Sequence, residues 1–270
     1  AGGAVAAKAL RVNLSDLAAM GATPRAYTLS LTLDARTGEA WIGDFAAALA
    51  RDQETFAVTL IGGDTVKGCE LSITITAFGE APPRGVLRRS GAEAGDRVWV
   101  SGTIGDGALG LRAASGKLPE LPEALRKELI NRYLIPEPRL ALGPRLVGMA
   151  NACIDVSDGL IADLGHICKA SGLSAIVEAD KIPLSEAALA VRNDCPDIIE
   201  ELIGGGDDYE LLFSAPVEAD AAIGALAAEL SLPLSPIGAL EESTAGGGSV
   251  LVIDGEGREI APDKTGYKHF

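Results

Sequence analysis

Residues 152–167 read Ala152-Cys-Ile-Asp-Val-Ser-Asp-Gly-Leu-Ile-Ala-Asp-Leu-Gly-His-Ile167. A short strand over Ile154–Val156 leads through an acidic turn into an apolar helix from Leu160 to Ala170. Ahead of it lie a strand at Arg97–Val100, the Gly-rich turn Ser101-Gly-Thr-Ile-Gly-Asp-Gly107 and a helical, proline-punctuated region over Pro122–Ala150. Behind it come a strand at Leu211–Ala215, a helix at Ala219–Leu230 and a strand at Val250–Ile253. Nearer the start, Leu10, Leu14, Leu17 and Ala18 recur at helical spacing and stop near Gly21 and Pro24. Tyr27, Leu29, Leu31 and Leu33 then alternate with Thr28, Ser30 and Thr32, the period of a half-buried strand. A helix through Phe45–Ala50 and strands at Phe56–Ile61 and Leu71–Phe78 complete this part. Strands and helices interleave without strict βαβ alternation, which predicts an α+β fold. The breakers of Gly79-Glu-Ala-Pro-Pro-Arg-Gly85 predict a linker, dividing the chain into residues 1–83 and 84–270.

Composition narrows the function. The 270 residues carry 38 acidic and 23 basic side chains, a formal net charge of −15. That balance excludes a purely electrostatic grip on nucleic acid or an anionic membrane, and clustered carboxylates instead invite divalent cations. Apolar residues at 47% are too many for disorder. Cys69, Cys153, Cys168 and Cys195 form no CxxC, which argues against a zinc ribbon and suits a reducing compartment. No apolar run reaches the roughly 18 residues of a membrane span, and AGGAVAAKAL is not built like a signal peptide. A cytoplasmic protein is expected.

Four acidic motifs sit in turns beside these elements: Asn13-Leu-Ser-Asp16, Gly62-Gly-Asp-Thr65, Asp155-Val-Ser-Asp158-Gly159 and Gly205-Gly-Asp-Asp-Tyr-Glu210. Glycines let the backbone approach closely while carboxylate oxygens converge on a hard cation, an arrangement suited to metal–phosphate chemistry. A structural reading stands beside this one. Ser15-Asp16 and Ser157-Asp158 each precede an apolar run and could cap helices, and the two Gly-Gly-Asp segments could be plain turns. The resemblance of the Ser-Asp pairs and Gly-Gly-Asp segments to one another is too short to argue for duplication. There is no GxxxxGK[ST], and no GxGxxG in a Rossmann setting, so phosphates would be held by metals, glycine amides and Arg. Arg88-Arg89 offers guanidinium groups for phosphate or simply a solvated pair. His166 reads as a structural helix residue, and with only His269 besides and no GxSxG, a Ser–His–Asp hydrolase is hard to build. The aromatic tail Gly266-Tyr-Lys-His-Phe270 could stack on a flat ring or pin the terminus to the core.

The ordered set VNLSDLAAMGATP, LIGGDT, LRRSGAEAGD, VSGTIGDGALGL, ACIDVSDGLIADLGHI, GGGDDYELLF and GYKHF resembles the thiamine-monophosphate kinase family. That family's superfamily also holds aminoimidazole ribonucleotide synthetase and selenophosphate synthetase. The resemblance runs over essentially the whole chain. It implies the two-domain aminoimidazole ribonucleotide synthetase-like fold, mixed and antiparallel sheets packed with helices, and a homodimer formed through the N-terminal sheets. It also implies ATP-dependent phosphorylation of thiamine monophosphate to thiamine diphosphate, with several Mg²⁺ ions. By motif, Asp16, Asp64, Asp155 and Asp158 resemble the metal ligands, and Gly63, Asp64, Arg89 and Ser157 resemble the ATP site. Asp207 and Tyr267 match substrate-facing positions, and no catalytic residue beyond the metal ligands is implied. Against the family pattern, the chain begins after a glycine-rich loop with paired acidic residues and a further strand, and no adenine-side Tyr is matched near Phe45–Ala48. The acceptor is an anionic phosphate oxygen, so direct in-line transfer without a general base or a phosphoenzyme is expected.

Overall fold

A computed structural model describes residues 2–118, 120–243, 246–261 and 266. The N-terminal part runs α1 (Gly2–Ala19), β1 (Thr23–Leu33), α2 (Glu39–Phe56), β2 (Thr59–Lys67) and β3 (Ser72–Glu80). Its sheet has the order β2-β1-β3, with β1 parallel to β2 and antiparallel to β3. The apolar stripe of α1 decides what covers this sheet. Leu10 and Leu14 are fully buried, packing with Tyr27 of β1 and with Phe45 and Leu49 of α2, while Ala18, also fully buried, joins the core around Trp99 and Phe213. Helix α2 is longer than the expected Phe45–Ala50 and takes in Phe56, so the following strand starts at Thr59. Ala57 in the left-handed region makes that break.

The C-terminal part runs β4 (Arg97–Ser101), α3 (Asp106–Ala114), α4 (Glu123–Leu134), α5 (Gly143–Leu146), β5 (Ala152–Asp155), α6 (Leu160–Ser171) and β6 (Leu173–Glu178). After these come α7 (Glu186–Asp194), α8 (Ile198–Gly204), β7 (Leu211–Ala215), α9 (Asp220–Leu230), β8 (Leu234–Glu242) and β9 (Val250–Ile253). Six strands order as β5-β7-β4-β8-β6-β9, antiparallel except for the parallel pair β6–β9. The mixed sheets and packed helices are the α+β architecture expected. One core lies between this sheet and α3, α4 and α6–α8; a second, holding the stacked Trp99 and Phe213, lies beneath α9 and α5.

Sequence reading missed β8 for a physical reason. Pro236 and Gly238 look like breakers, but Pro236 sits at a register shift opposite Trp99, where the ladder tolerates a missing N–H. A Cβ on Gly238 would lie 2.0 Å from the Ile176 carbonyl oxygen, so this glycine admits the neighbouring strand. Strand β6, also absent from the expected elements, carries period-two burial over Leu173–Glu178, the alternation of a half-buried strand.

Candidate active site

The acidic turn Asp155-Val-Ser-Asp158 lies at the end of β5. Asp155 pairs in register with Leu211 of β7, and beyond the last rung the two loops continue to zip together. The amide of Val156 donates to the Glu210 carbonyl at 2.8 Å, that of Tyr209 to Val156 at 2.8 Å, and that of Asp207 to Ser157 at 2.9 Å. The approach needs glycine: a Cβ on Gly206 would sit 2.1 Å from the Ser157 carbonyl oxygen. Asp207 and Tyr209 both take positive φ, 72° and 54°, uncommon for side chains with a Cβ.

Neither Ser-Asp pair is a helix cap. Ser15 is in the interior of α1, fully buried, and its hydroxyl donates to Asp155 Oδ2 at 2.7 Å. At the other pair, the cap of α6 is Gly159 with no side-chain cap bond. The amides of Ser157, Asp158 and Gly159 instead donate to Asp163 Oδ2 at 3.0, 3.0 and 3.1 Å, one helical turn on. Asp163 had no place among the expected site residues, although a carboxylate inside the first turn of a helix is the available signal.

Two cavities flank the Asp155–Asp158 turn, one lined by Asp155 and the other by Ser157 and Asp158. The first, about 460 Å³, is lined by Asp16, Arg88, Arg89, Ser90, Cys153 and Asp155 among others. Burial pushes the Asp155 carboxyl up to about 6; the Ser15 hydrogen bond and Arg89 oppose this, while the nearby Asp16 charge adds to it. Asp16 is exposed at the rim, yet partial desolvation raises its pKa, with Arg89 pulling the other way. The second cavity, about 670 Å³, is lined by Ser157, Asp158, Asp207, Tyr133, Tyr209 and Gly266 among others. Tyr209 donates its hydroxyl to Asp207 Oδ1 at 2.9 Å, and burial together with that carboxylate raises the phenol pKa.

Next to Tyr209 stands a fully enclosed carboxylate, Glu210, which the motif alone does not single out. Arg139 grips it with two nitrogens, Nε at 2.6 Å from Oε2, while Arg132 Nη2 lies 2.9 Å from Oε1 and Ser101 Oγ donates at 2.6 Å. Asp208, also buried, accepts from the amides of Gly105 and Gly107 at 2.8 Å each, tying the Gly-rich turn to the same loop.

The expected site residues thus fall into three places. Asp16, Asp155 and Arg89 share one cavity, and Ser157, Asp158 and Asp207 share its neighbour. Gly63 and Asp64 stand apart from both linings, midway along β2, opposite Leu29 and Ser30 of β1. A Cβ on Gly63 would fall 1.8 Å from the Leu29 carbonyl oxygen, which accounts for this glycine by strand pairing. Tyr267 lies outside the described residues.

Residues 1–81 match the model of the AIR synthase related protein, N-terminal domain, and residues 93–250 that of the AIR synthase related protein, C-terminal domain. Thiamine-monophosphate kinase of Salmonella typhimurium is 41% identical over 266 residues, 98% of this chain and 80% of that protein. The crystal structure of thiamine-monophosphate kinase from Stenotrophomonas maltophilia K279a superposes with a TM-score of 0.86 at 41% identity, over 96% of this chain and 80% of that one. A structure described as AaThiL complexed with AMPPCP and TMP superposes equally well, TM-score 0.86 at 31% identity, over 100% of this chain and 81% of that one. With its motifs in order, its two-part α+β fold and relatives at this identity over nearly the whole of this chain, the chain belongs to the thiamine-monophosphate kinase family of AIR synthase related proteins.

Proposed function

We propose that this protein transfers the γ-phosphoryl group of ATP directly and in line to the phosphate of thiamine monophosphate, giving thiamine diphosphate in the cytoplasm. The observation that carries this reading is the Asp155–Asp158 turn, which borders both cavities. Phosphates gathered beside Asp16, Asp155 and Arg89 would lie next to a ring held between Asp207 and the tyrosines. A cavity walled by carboxylates and aromatic rings suits a cationic thiazolium.

The donor set fits Mg²⁺: Asp16, Asp64, Asp155 and Asp158 offer the hard oxygens this ion takes. Among the described residues no group of three or more acidic, histidine or cysteine side chains is arranged to hold an ion alone. Ions would therefore be held jointly by one or two of these carboxylates and the substrate phosphates, the usual habit of Mg²⁺. Bound Mg²⁺ supplies charge neutralisation between two phosphate groups that repel each other. Arg89 presents a guanidinium that matches phosphate oxygens bidentately, and Ser157 and Gly63 contribute at the nucleotide. Asp207, which lines the second cavity, would face thiamine, and Tyr267 is assigned to the same substrate by its motif alone. The acceptor oxygen is already anionic, so no side chain need take a proton. Residues 1–83 would carry the Gly63–Asp64 ligands and the homodimer contact, and residues 84–270 would complete the site.

Incubation with ATP, Mg²⁺ and thiamine monophosphate, followed by chromatography, is expected to yield thiamine diphosphate. Absence of product at any Mg²⁺ concentration refutes the reading, and a phosphorylated residue trapped during turnover refutes direct transfer.

A further inference from the structure

Lys8, on α1, is bound three ways to residues that line the second cavity. Its ammonium lies 3.0 Å from Asp207 Oδ1, donates to the Tyr133 carbonyl oxygen at 2.9 Å, and stands 3.7 Å from the centroid of the Tyr133 ring. Both partners line the cavity; Lys8 is not part of the lining. A mostly covered cation between a carboxylate and an aromatic face fixes both groups, since moving either forfeits an ion pair or a cation–π contact. Lys8 and the Tyr209 hydroxyl converge on the same oxygen, Oδ1. That holds the Asp207 carboxylate in one orientation.

The same helix reaches the first cavity. Seven residues beyond Lys8, Ser15 holds Asp155 and Asp16 stands at the rim. At 1.5 Å per residue the two anchor points are about 10 Å apart, on one face two turns long. Between them Arg11 bonds the Pro136 carbonyl oxygen and the Asp52 carboxylate, so the helix is pinned at three levels.

We propose that Lys8 is a positioning residue for thiamine recognition: through Asp207 and Tyr133 it sets the ring-binding wall at a fixed spacing from the Asp155 end of α1. This rests on the reading of the second cavity as the thiamine site. Lys8 touches neither substrate nor reacting atoms; its effect passes through the two residues it holds.

The test is calorimetric titration of thiamine monophosphate into wild type, Lys8→Met and Lys8→Arg, with steady-state turnover and thermal unfolding followed alongside. Lys8→Met is expected to bind thiamine monophosphate about tenfold more weakly and to raise its KM by a similar factor. Its kcat at saturation should stay within about twofold, with KM for ATP unchanged. Lys8→Arg should recover most of the loss, because a guanidinium also stacks on the ring while reaching a carboxylate. Unaltered affinity in Lys8→Met overturns the proposal, as does an equal loss toward ATP, the mark of general loosening. If Lys8→Met does not fold, Lys8→Gln is judged by the same split between the two substrates. A wild type that binds thiamine monophosphate without making thiamine diphosphate refutes the kinase reading alone, and the binding comparison still decides Lys8. A wild type that binds none overturns both.

Discussion

Asp155 is enclosed by the fold, touched by the hydroxyl of Ser15 and close to the charges of Asp16 and Arg89. Its folded pKa of about 6 stands above the ordinary 3.8, chiefly through burial. Between those values the folded chain binds the proton that the unfolded chain has released. Stability contributed at this site is therefore present at low pH and declines as pH rises through that window. Asp155→Asn removes this decline, which urea midpoints on either side of the window would show; it should also abolish Mg²⁺-dependent turnover while leaving the fold intact. The Ser15 hydrogen bond lowers the Asp155 pKa, so Ser15→Ala should move the acid limb of kcat/KM to higher pH, measured over the range 5–8. An unmoved limb would remove Ser15 from the site. The sequence made Asp155 a candidate but could not link it to Ser15, because the contact joins residues 140 apart in the chain.

Among the elements, the loop after α8 is the one on which the others depend. It joins the β5 turn through backbone hydrogen bonds, the Gly-rich turn through Asp208 and α4 through Glu210. Glu210 is buried between Arg132 and Arg139, and removing it leaves two guanidinium groups without their shared partner. Glu210→Ala should cost about 3 kcal/mol or more in chemical unfolding, as breaking a buried pair generally does. Gly206→Ala is a gentler probe, with a methyl forced against the Ser157 carbonyl oxygen. It should destabilise by about 1–3 kcal/mol and depress turnover further as the two loops part. The GGDDYE motif was visible in the sequence as an acidic turn. Its division of labour, with Asp207 at the cavity and Asp208 and Glu210 buried as braces, needed the positive φ at Asp207 and Tyr209, which motif reading does not supply.

At the scale of the molecule, the N-terminal sheet ends in an uncovered edge strand, β2. Every residue of β2 is exposed, including Leu60, Ile61 and Val66, and Phe78 of β3 is exposed as well. An uncovered apolar strand at a sheet edge is a surface that proteins ordinarily pair or protect. It agrees with the proposed homodimer, and it offers a reason why Gly63 and Asp64 lie outside the linings of both cavities. Light scattering should find a dimer, and Ile61→Asp with Val66→Asp should yield monomers. A monomeric wild type would overturn the dimer.

The sequence by itself determined the α+β class, most of the elements and the family. These follow from short-range information: hydrophobic period, turn residues and motifs contiguous in the chain. The identity of the acidic motifs is of this kind. What they do together was decided by tertiary structure, since long-range packing alone brings Ser15 to Asp155 and Lys8 to Asp207. The strand through Pro236 and Gly238 belongs with these, because a register shift and a close carbonyl turn two apparent breakers into residues that the sheet requires.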